Sequence, residues 1–252
     1  MVRELEYDVC EMAFTTYLCA KEHGKRFTAL PIFLVRGFHH GAILAAAPGD
    51  PKELEGKRVG VNRGYTVTTG VWARGILADE YGVDLDKVTW VLSGDEHVAE
   101  YRPPANVVPL EPGKDIGAMV VAGDLAAAIG VEREGLVPLI ADATDAGFEA
   151  LRRRGHYPIN HLVVVKDELL DAHPELASAV FDAFEQAKDL YLERGELEPV
   201  HARVREITGV DPLPYGVEPN RPAIDELIGH AMAQRILARR PAVDALFADT
   251  TA

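Results

Sequence analysis

The passage that most restricts how this chain folds is Arg58-Val59-Gly60-Val61-Asn62-Arg63-Gly64-Tyr65, which leads into a helical pattern over 66–81. Its short strand is apolar without alternation, the habit of a strand covered on both faces in a parallel sheet. The helix carries Val71, Ile76, Leu77 and Tyr81 on one face, and Gly82 follows as a stop. Further strands are expected at 5–12, 30–35, 43–46, 88–92, 116–121, 137–140 and 159–165. Helical stretches are expected at 15–22, 124–129, 143–153, 174–192, 203–208, 221–229, 231–239 and 241–248. Strands alternating with helices predict an α/β protein with three-layer lobes and mostly parallel, mixed sheets. The chain has 252 residues, enough for two modest cores. Residues 1–47 with 156–252 are expected to form one discontinuous lobe and 48–155 the other.

Charge and composition narrow the partners. With 26 basic and 40 acidic residues the formal charge is −14, so nucleic acid and acidic membrane surfaces are repelled. No apolar run approaches the roughly 18 residues of a membrane span. Cys10 and Cys19 share one apolar segment and read as buried small side chains. The first residues lack the basic lead and apolar core of an export signal. As written, the chain is expected to be cytoplasmic; an omitted upstream leader would make it periplasmic.

The junction after Val61 is the first candidate site. The opening N–H groups of a helix lack internal acceptors and, with the helix dipole, favour a carboxylate or phosphate. Thr66, Thr68 and Thr69 add hydroxyl donors, although Thr66 can equally serve as a helix cap. The passage is neither a Walker loop nor a dinucleotide fingerprint. A second donor group, Arg36 with His39 and His40, follows the strand at 30–35. Arginine matches a carboxylate bidentately and histidine exchanges protons near neutral pH; the competing reading is a solvated turn. His156, Tyr157, Asn160 and His161 form a third group. Glu11 closes the first strand, as either a general base or a hydrogen-bonded structural group. Histidines at 39, 40 and 161 lack metal-ligand spacing, and no nucleophile elbow is present. No metal, cofactor or covalent nucleophile is expected.

A series of segments, taken in order, resembles the 4,5-dihydroxyphthalate decarboxylase family over essentially the whole chain. It comprises Asp8-Val9-Cys10-Glu11-Met12, Pro31-Ile32-Phe33 with Arg36-Gly37-Phe38-His39-His40, and Gly56-Lys57-Arg58-Val59-Gly60-Val61. It continues through Val71-Trp72-Ala73-Arg74-Gly75-Ile76-Leu77, Glu80-Tyr81-Gly82-Val83, Tyr157-Pro158-Ile159-Asn160-His161 and Pro214-Tyr215-Gly216-Val217-Glu218-Pro219-Asn220-Arg221. The resemblance implies a two-lobed fold like that of type 2 periplasmic binding proteins. It also implies non-oxidative acid–base decarboxylation of a small hydroxylated aromatic carboxylate. Related chains of this fold are solute-binding proteins, so the alternative is the binding component of an ABC-type uptake system. The family carries an opening strand–helix–strand portion ahead of the point where this chain starts, so the first lobe is expected to be incomplete at its N-terminus. Its loop after the Gly60-Val61 strand commonly differs from Asn62-Arg63-Gly64.

On this reading His40 and His161 are the acid–base candidates, with Glu11 orienting a histidine. Arg36, His39, Tyr65, Thr66, Thr68, Thr69 and Asn160 are the candidates for binding substrate, with Tyr65 stacking on the ring or donating its hydroxyl. Glu218 and Arg221 are expected to form a structural salt bridge. The expected partner is a small anionic aromatic molecule, and self-association is left open.

Overall fold

The computed structural model describes residues 1–250. In chain order its elements are β1 (Val9–Ala13), α1 (Phe14–Glu22), β2 (Phe27–Phe33), β3 (Ile43–Ala45), β4 (Arg58–Val61), α2 (Thr68–Asp79), β5 (Thr89–Leu92) and β6 (Val107–Pro109). They continue with α3 (Ile116–Ala122), β7 (Ala127–Ile129), β8 (Val137–Pro138), α4 (Ala143–Arg154), β9 (His161–Lys166), α5 (Asp167–Ala172), α6 (Leu176–Glu193), α7 (Pro199–Thr208) and α8 (Arg221–Ala233). Among the described residues, no helix is long and apolar enough to cross a membrane.

The strands form two sheets, in the orders β1-β9-β2 and β6-β5-β4-β7-β3-β8. In the larger sheet β4, β5, β6 and β7 run parallel, while β3 is antiparallel to β7 and β8. This is the expected mixed, parallel-rich arrangement. The smaller sheet departs from it, because both of its pairings are antiparallel. The β1–α1–β2 crossover leaves a gap one strand wide, and β9 enters that gap from the opposite direction. β3 falls within the residues expected for the first lobe, yet it pairs in the larger sheet, so the chain has crossed over before residue 43.

The segment 116–129 is the clearest correction. The expected strand at 116–121 is α3, and the expected helix at 124–129 contains β7. The whole segment is so apolar that periodicity cannot separate a buried helix from a buried strand. Capping decides it: Asp115 accepts from the Ala118 amide at 2.7 Å, and Gly123, at φ 83°, closes the helix. β7 then slots, fully buried, between β4 and β3. The expected helices at 231–239 and 241–248 shrink to the end of α8 and a single 3-10 turn at Val243–Leu246.

Residues from both sheets share one core, in which Phe14, Tyr17, Phe27 and Phe33 join Trp72 and Trp90. α1 is locked to the start of α2 by hydrogen bonds. Thr15 donates from its amide to Thr68 Oγ1 at 3.1 Å and from its hydroxyl to the Thr66 carbonyl at 2.6 Å. These bonds tie α1, which follows the first strand of the smaller sheet, to the segment that follows β4 of the larger one.

Candidate active site

Glu11 and His161 stand 150 residues apart in the chain and meet through strand register. Glu11 pairs with Val163 and Ala13 with His161, so Glu11 and His161 are diagonal neighbours on one face of the smaller sheet. Their side chains join, with His161 Nδ1 2.5 Å from Glu11 Oε1, and remain 36% and 47% exposed. A carboxylate on one ring nitrogen orients the imidazole and leaves the other nitrogen for a ligand.

This pair opens onto a cavity of about 400 Å³, whose lining also includes Tyr7, Cys10, Thr16, Arg63 and His97. The volume suits a small molecule. Arg63 and His97 belong to the loops after β4 and β5, at the carboxyl ends of parallel strands where open α/β sheets hold ligands. Arg63 is exposed and adopts φ 65°, with its amide donating to Ser93 Oγ at 2.8 Å. No carboxylate among the described residues forms an ion pair with its guanidinium. His97 is half-buried, with Nδ1 3.5 Å from Thr16 Oγ1. Burial lowers the His97 pKa, and the charges of Arg63 and Arg3 add to that effect against the opposing pull of Glu96.

In the loop just ahead of α2, which starts at Thr68, an internal carboxylate takes the donors expected for a ligand. Glu96 accepts from the amide of Tyr65 at 2.5 Å and from the amide and hydroxyl of Thr66 at 3.2 and 2.8 Å. A Cβ on Gly64 would stand 2.7 Å from Glu96 Oε2, so the glycine leaves room for this carboxylate. Thr68 is buried against Thr15. Tyr65 is also buried and lies under the Arg74 guanidinium, 3.8 Å from the ring centre, which removes it as a platform for substrate.

The other expected binding residues act as internal struts. Arg36 donates to the carbonyls of Tyr157 and Pro214 and to Asn220 Oδ1, at 3.0, 2.9 and 2.5 Å. Burial lowers its pKa to about 10. His39 donates to Asn160 Oδ1 at 2.9 Å and stacks on Trp72, and burial pushes its pKa down to about 4. Asn160 in turn donates to Thr69 at 3.4 Å. His40 is buried with Nε2 3.1 Å from Glu80, a carboxylate also held by Arg153 and Arg154. None of Arg36, His39, His40, Tyr65, Thr66, Thr68, Thr69 or Asn160 lines the cavity. The segment after β2 turns inward beneath α2 and α4, so its polar side chains bond to the protein.

The group at 156–161 also divides. His156 contacts Glu226, Tyr157 packs against Phe38, and only His161 reaches the cavity. Asp79, Glu226 and His230 lie close enough together for an ion, but they do not line the cavity, and Glu226 is already engaged by Arg154. Glu218 and Arg221 form the expected salt bridge at 2.5 Å. Arg63 was open to recognition as a cation at the carboxyl end of a parallel strand. His97 and Glu96, in an irregular acidic stretch, carried no comparable signal.

No protein-family model matches this chain. In sequence it is 27% identical, over an alignment of 268 residues, to the 4,5-dihydroxyphthalate decarboxylase of Comamonas testosteroni, spanning 94% of this chain and 81% of that protein. It is 30% identical over 139 residues to the 4,5-dihydroxyphthalate decarboxylase of Pseudomonas putida, covering 51% of this chain and 54% of that one. In structure it is similar to the alkanesulfonate-binding protein SsuA of Xanthomonas axonopodis pv. citri bound to MOPS. The TM-score is 0.51 and the identity 18%, over 95% of this chain and 80% of that one. The chain is thus similar in sequence to two 4,5-dihydroxyphthalate decarboxylases, and its fold is that of the two-lobed periplasmic binding proteins.

Proposed function

We propose that this protein is a decarboxylase that removes carbon dioxide from a small hydroxylated aromatic carboxylate by non-oxidative acid–base chemistry, as a step in the breakdown of aromatic acids. The observation that carries the reading is the Glu11–His161 pair, set in a small-molecule cavity with Arg63, a cation without an ion-pair partner among the described residues. Losing carbon dioxide from an aromatic ring requires a proton at the carbon that bears the carboxylate and a place for the ring electrons. A ring hydroxyl supplies that place by moving toward its ketone form. In the proposed sequence Arg63 holds the carboxylate and protonated His161 delivers its proton to the ring carbon. The C–C bond then breaks, and its electron pair returns to the ring as the aromatic phenol re-forms. Glu11 orients the imidazole through the bond to its Nδ1. Water restores the proton that the reaction consumes.

The names of the sequence relatives support this chemistry. The structural similarity to a protein that holds an organic sulfonate supports a second reading, in which the same cavity captures a small anion for uptake without reaction. Carbon dioxide release and calorimetric binding, screened over hydroxylated benzoates and phthalates, separate the two. Release that is abolished by His161→Asn, with affinity kept within about tenfold, is the expected result. Tight binding without release from any of these acids would replace the enzyme by the binding protein. A fully active His161→Asn variant would remove the role given to His161.

A further inference from the structure

We propose that His97 is a second proton-transfer residue of the cleft, and that Glu96 is the positioning residue that holds it there. This rests on the decarboxylase reading above. The chemistry sets two proton tasks at different edges of one ring, since the phenolic proton must leave while another arrives at the carbon bearing the carboxylate. A histidine on the smaller sheet, His161, and another on a loop of the larger sheet, His97, line the same cavity.

His97 lies between two neighbours that are pinned. On one side the Glu96 carboxylate is clamped by three hydrogen bonds to Tyr65 and Thr66, and the Glu96 carbonyl accepts from Arg3 at 2.9 Å. On the other side Val98 is fully buried, and its carbonyl accepts from the Tyr101 amide at 3.1 Å. With both neighbours anchored, the imidazole between them is directed into the cavity. Its one contact from Nδ1 is the 3.5 Å approach of Thr16, which leaves Nε2 available to a ligand.

The groups facing His97 suit it to accept a proton. Arg63 comes from the loop after β4, Arg3 from the opening segment, and Thr16 from α1, with Glu96 beside it. Burial, Arg63 and Arg3 favour the neutral ring, and only Glu96 opposes them. The neutral imidazole takes the phenolic proton, and the O–H pair moves into the ring system. The ring carbon then bonds the proton from His161. Cleavage of the C–C bond returns its electrons to the ring and releases carbon dioxide. His97 finally hands its proton back to the phenolate oxygen.

The test follows pH–rate profiles and histidine ring NMR signals of the full chain. His97→Gln is expected to lower kcat at least about 100-fold, with KM within about fivefold, and to remove the acidic limb of the profile. Glu96→Gln, which keeps His97 itself, is expected to shift the His97 ring signals and displace that limb. Adding phthalate, an unreactive probe, is expected to move the ring signals of both His97 and His161. His97→Gln that keeps kcat within about threefold and retains both limbs would overturn the proposal while leaving the decarboxylase reading intact. If the variant does not fold, phthalate that moves His161 but not His97 would overturn it equally. An absence of both carbon dioxide release and phthalate response in the unaltered protein would overturn both readings.

Discussion

Glu96 binds Thr66 twice, with its carboxylate accepting from the amide at 3.2 Å and from the hydroxyl at 2.8 Å. The loop donors just ahead of α2 are therefore satisfied from inside the molecule, although α2 itself, which starts at Thr68, receives no side-chain cap. Among the side chains that line the nearby cavity is the exposed Arg63.

Glu96→Ala leaves two amides and a hydroxyl without their acceptor, so the protein should lose about 1–3 kcal/mol of stability in urea denaturation. Glu96→Gln retains an acceptor oxygen and should lose less. Gly64→Ala forces a Cβ against Glu96 Oε2 and should destabilise in the same direction. Equal stabilities for Glu96→Ala and the unaltered protein would show that water replaces the clasp at no cost.

Arg63 separates binding from folding. Its positive φ costs a non-glycine residue on the order of 1 kcal/mol, which Arg63→Gly relieves. Arg63→Gly should unfold no more readily than the parent, yet bind aromatic carboxylates at least about tenfold more weakly, because a charge-assisted contact is gone. Calorimetry and thermal denaturation on one sample measure both. Unchanged affinity would place the carboxylate elsewhere.

Gly75 lies on α2 where a Cβ would stand 2.5 Å from the ring of His230, a buried residue of α8. Gly75→Ala must push the two helices apart or turn the ring, and should cost about 1–3 kcal/mol in chemical denaturation.

His39 gives the folded protein a defined acid sensitivity. Burial lowers its folded pKa to about 4 against an unfolded value of 6.5, although its bond to Asn160 acts the other way. The unfolded chain therefore takes up a proton first as pH falls. Stability contributed by neutral His39 is complete above pH 6.5, declines as pH falls toward 4, and levels off below that, a loss of up to about 3 kcal/mol. His39→Phe keeps an aromatic ring against Trp72 and should show a shallower decline over this window in urea titrations at stepped pH. Glu226 acts in a lower window. Burial alone would raise its pKa, but bonds from His156 and His230 and the charge of Arg154 outweigh that and lower it. Its contribution is present above its unfolded pKa, near 4.3, and is lost as pH falls below that.

Much of the architecture was legible because its signals are local. β4 runs from Arg58 to Val61 as its apolar run predicts, and α4 ends against Gly155 as expected. Within 116–129 the local signal failed, since a segment whose one charged residue is Asp124 has no polar face from which to read a period. Of the expected catalytic residues, Glu11 and His161 line the cavity and His40 does not. His40 and Glu11 both sit near strand ends and look equally plausible there. Only the path of the following chain buries one against Glu80 and leaves the other open.

The anion cradle after Val61 shows the division most plainly. The sequence by itself determined that a helix N-terminus with threonine donors would stand at the end of a buried strand, because strand, glycine loop and helix are encoded within two dozen neighbouring residues. Only the tertiary structure decided what meets those donors. Glu96 reaches the Tyr65 and Thr66 donors ahead of that helix from the loop after β5, and His161 reaches Glu11 from 150 residues away through the register of β1 and β9. Hydrogen bonds and ion pairs act over a few ångströms, and which charges come within that range depends on how distant strands pair.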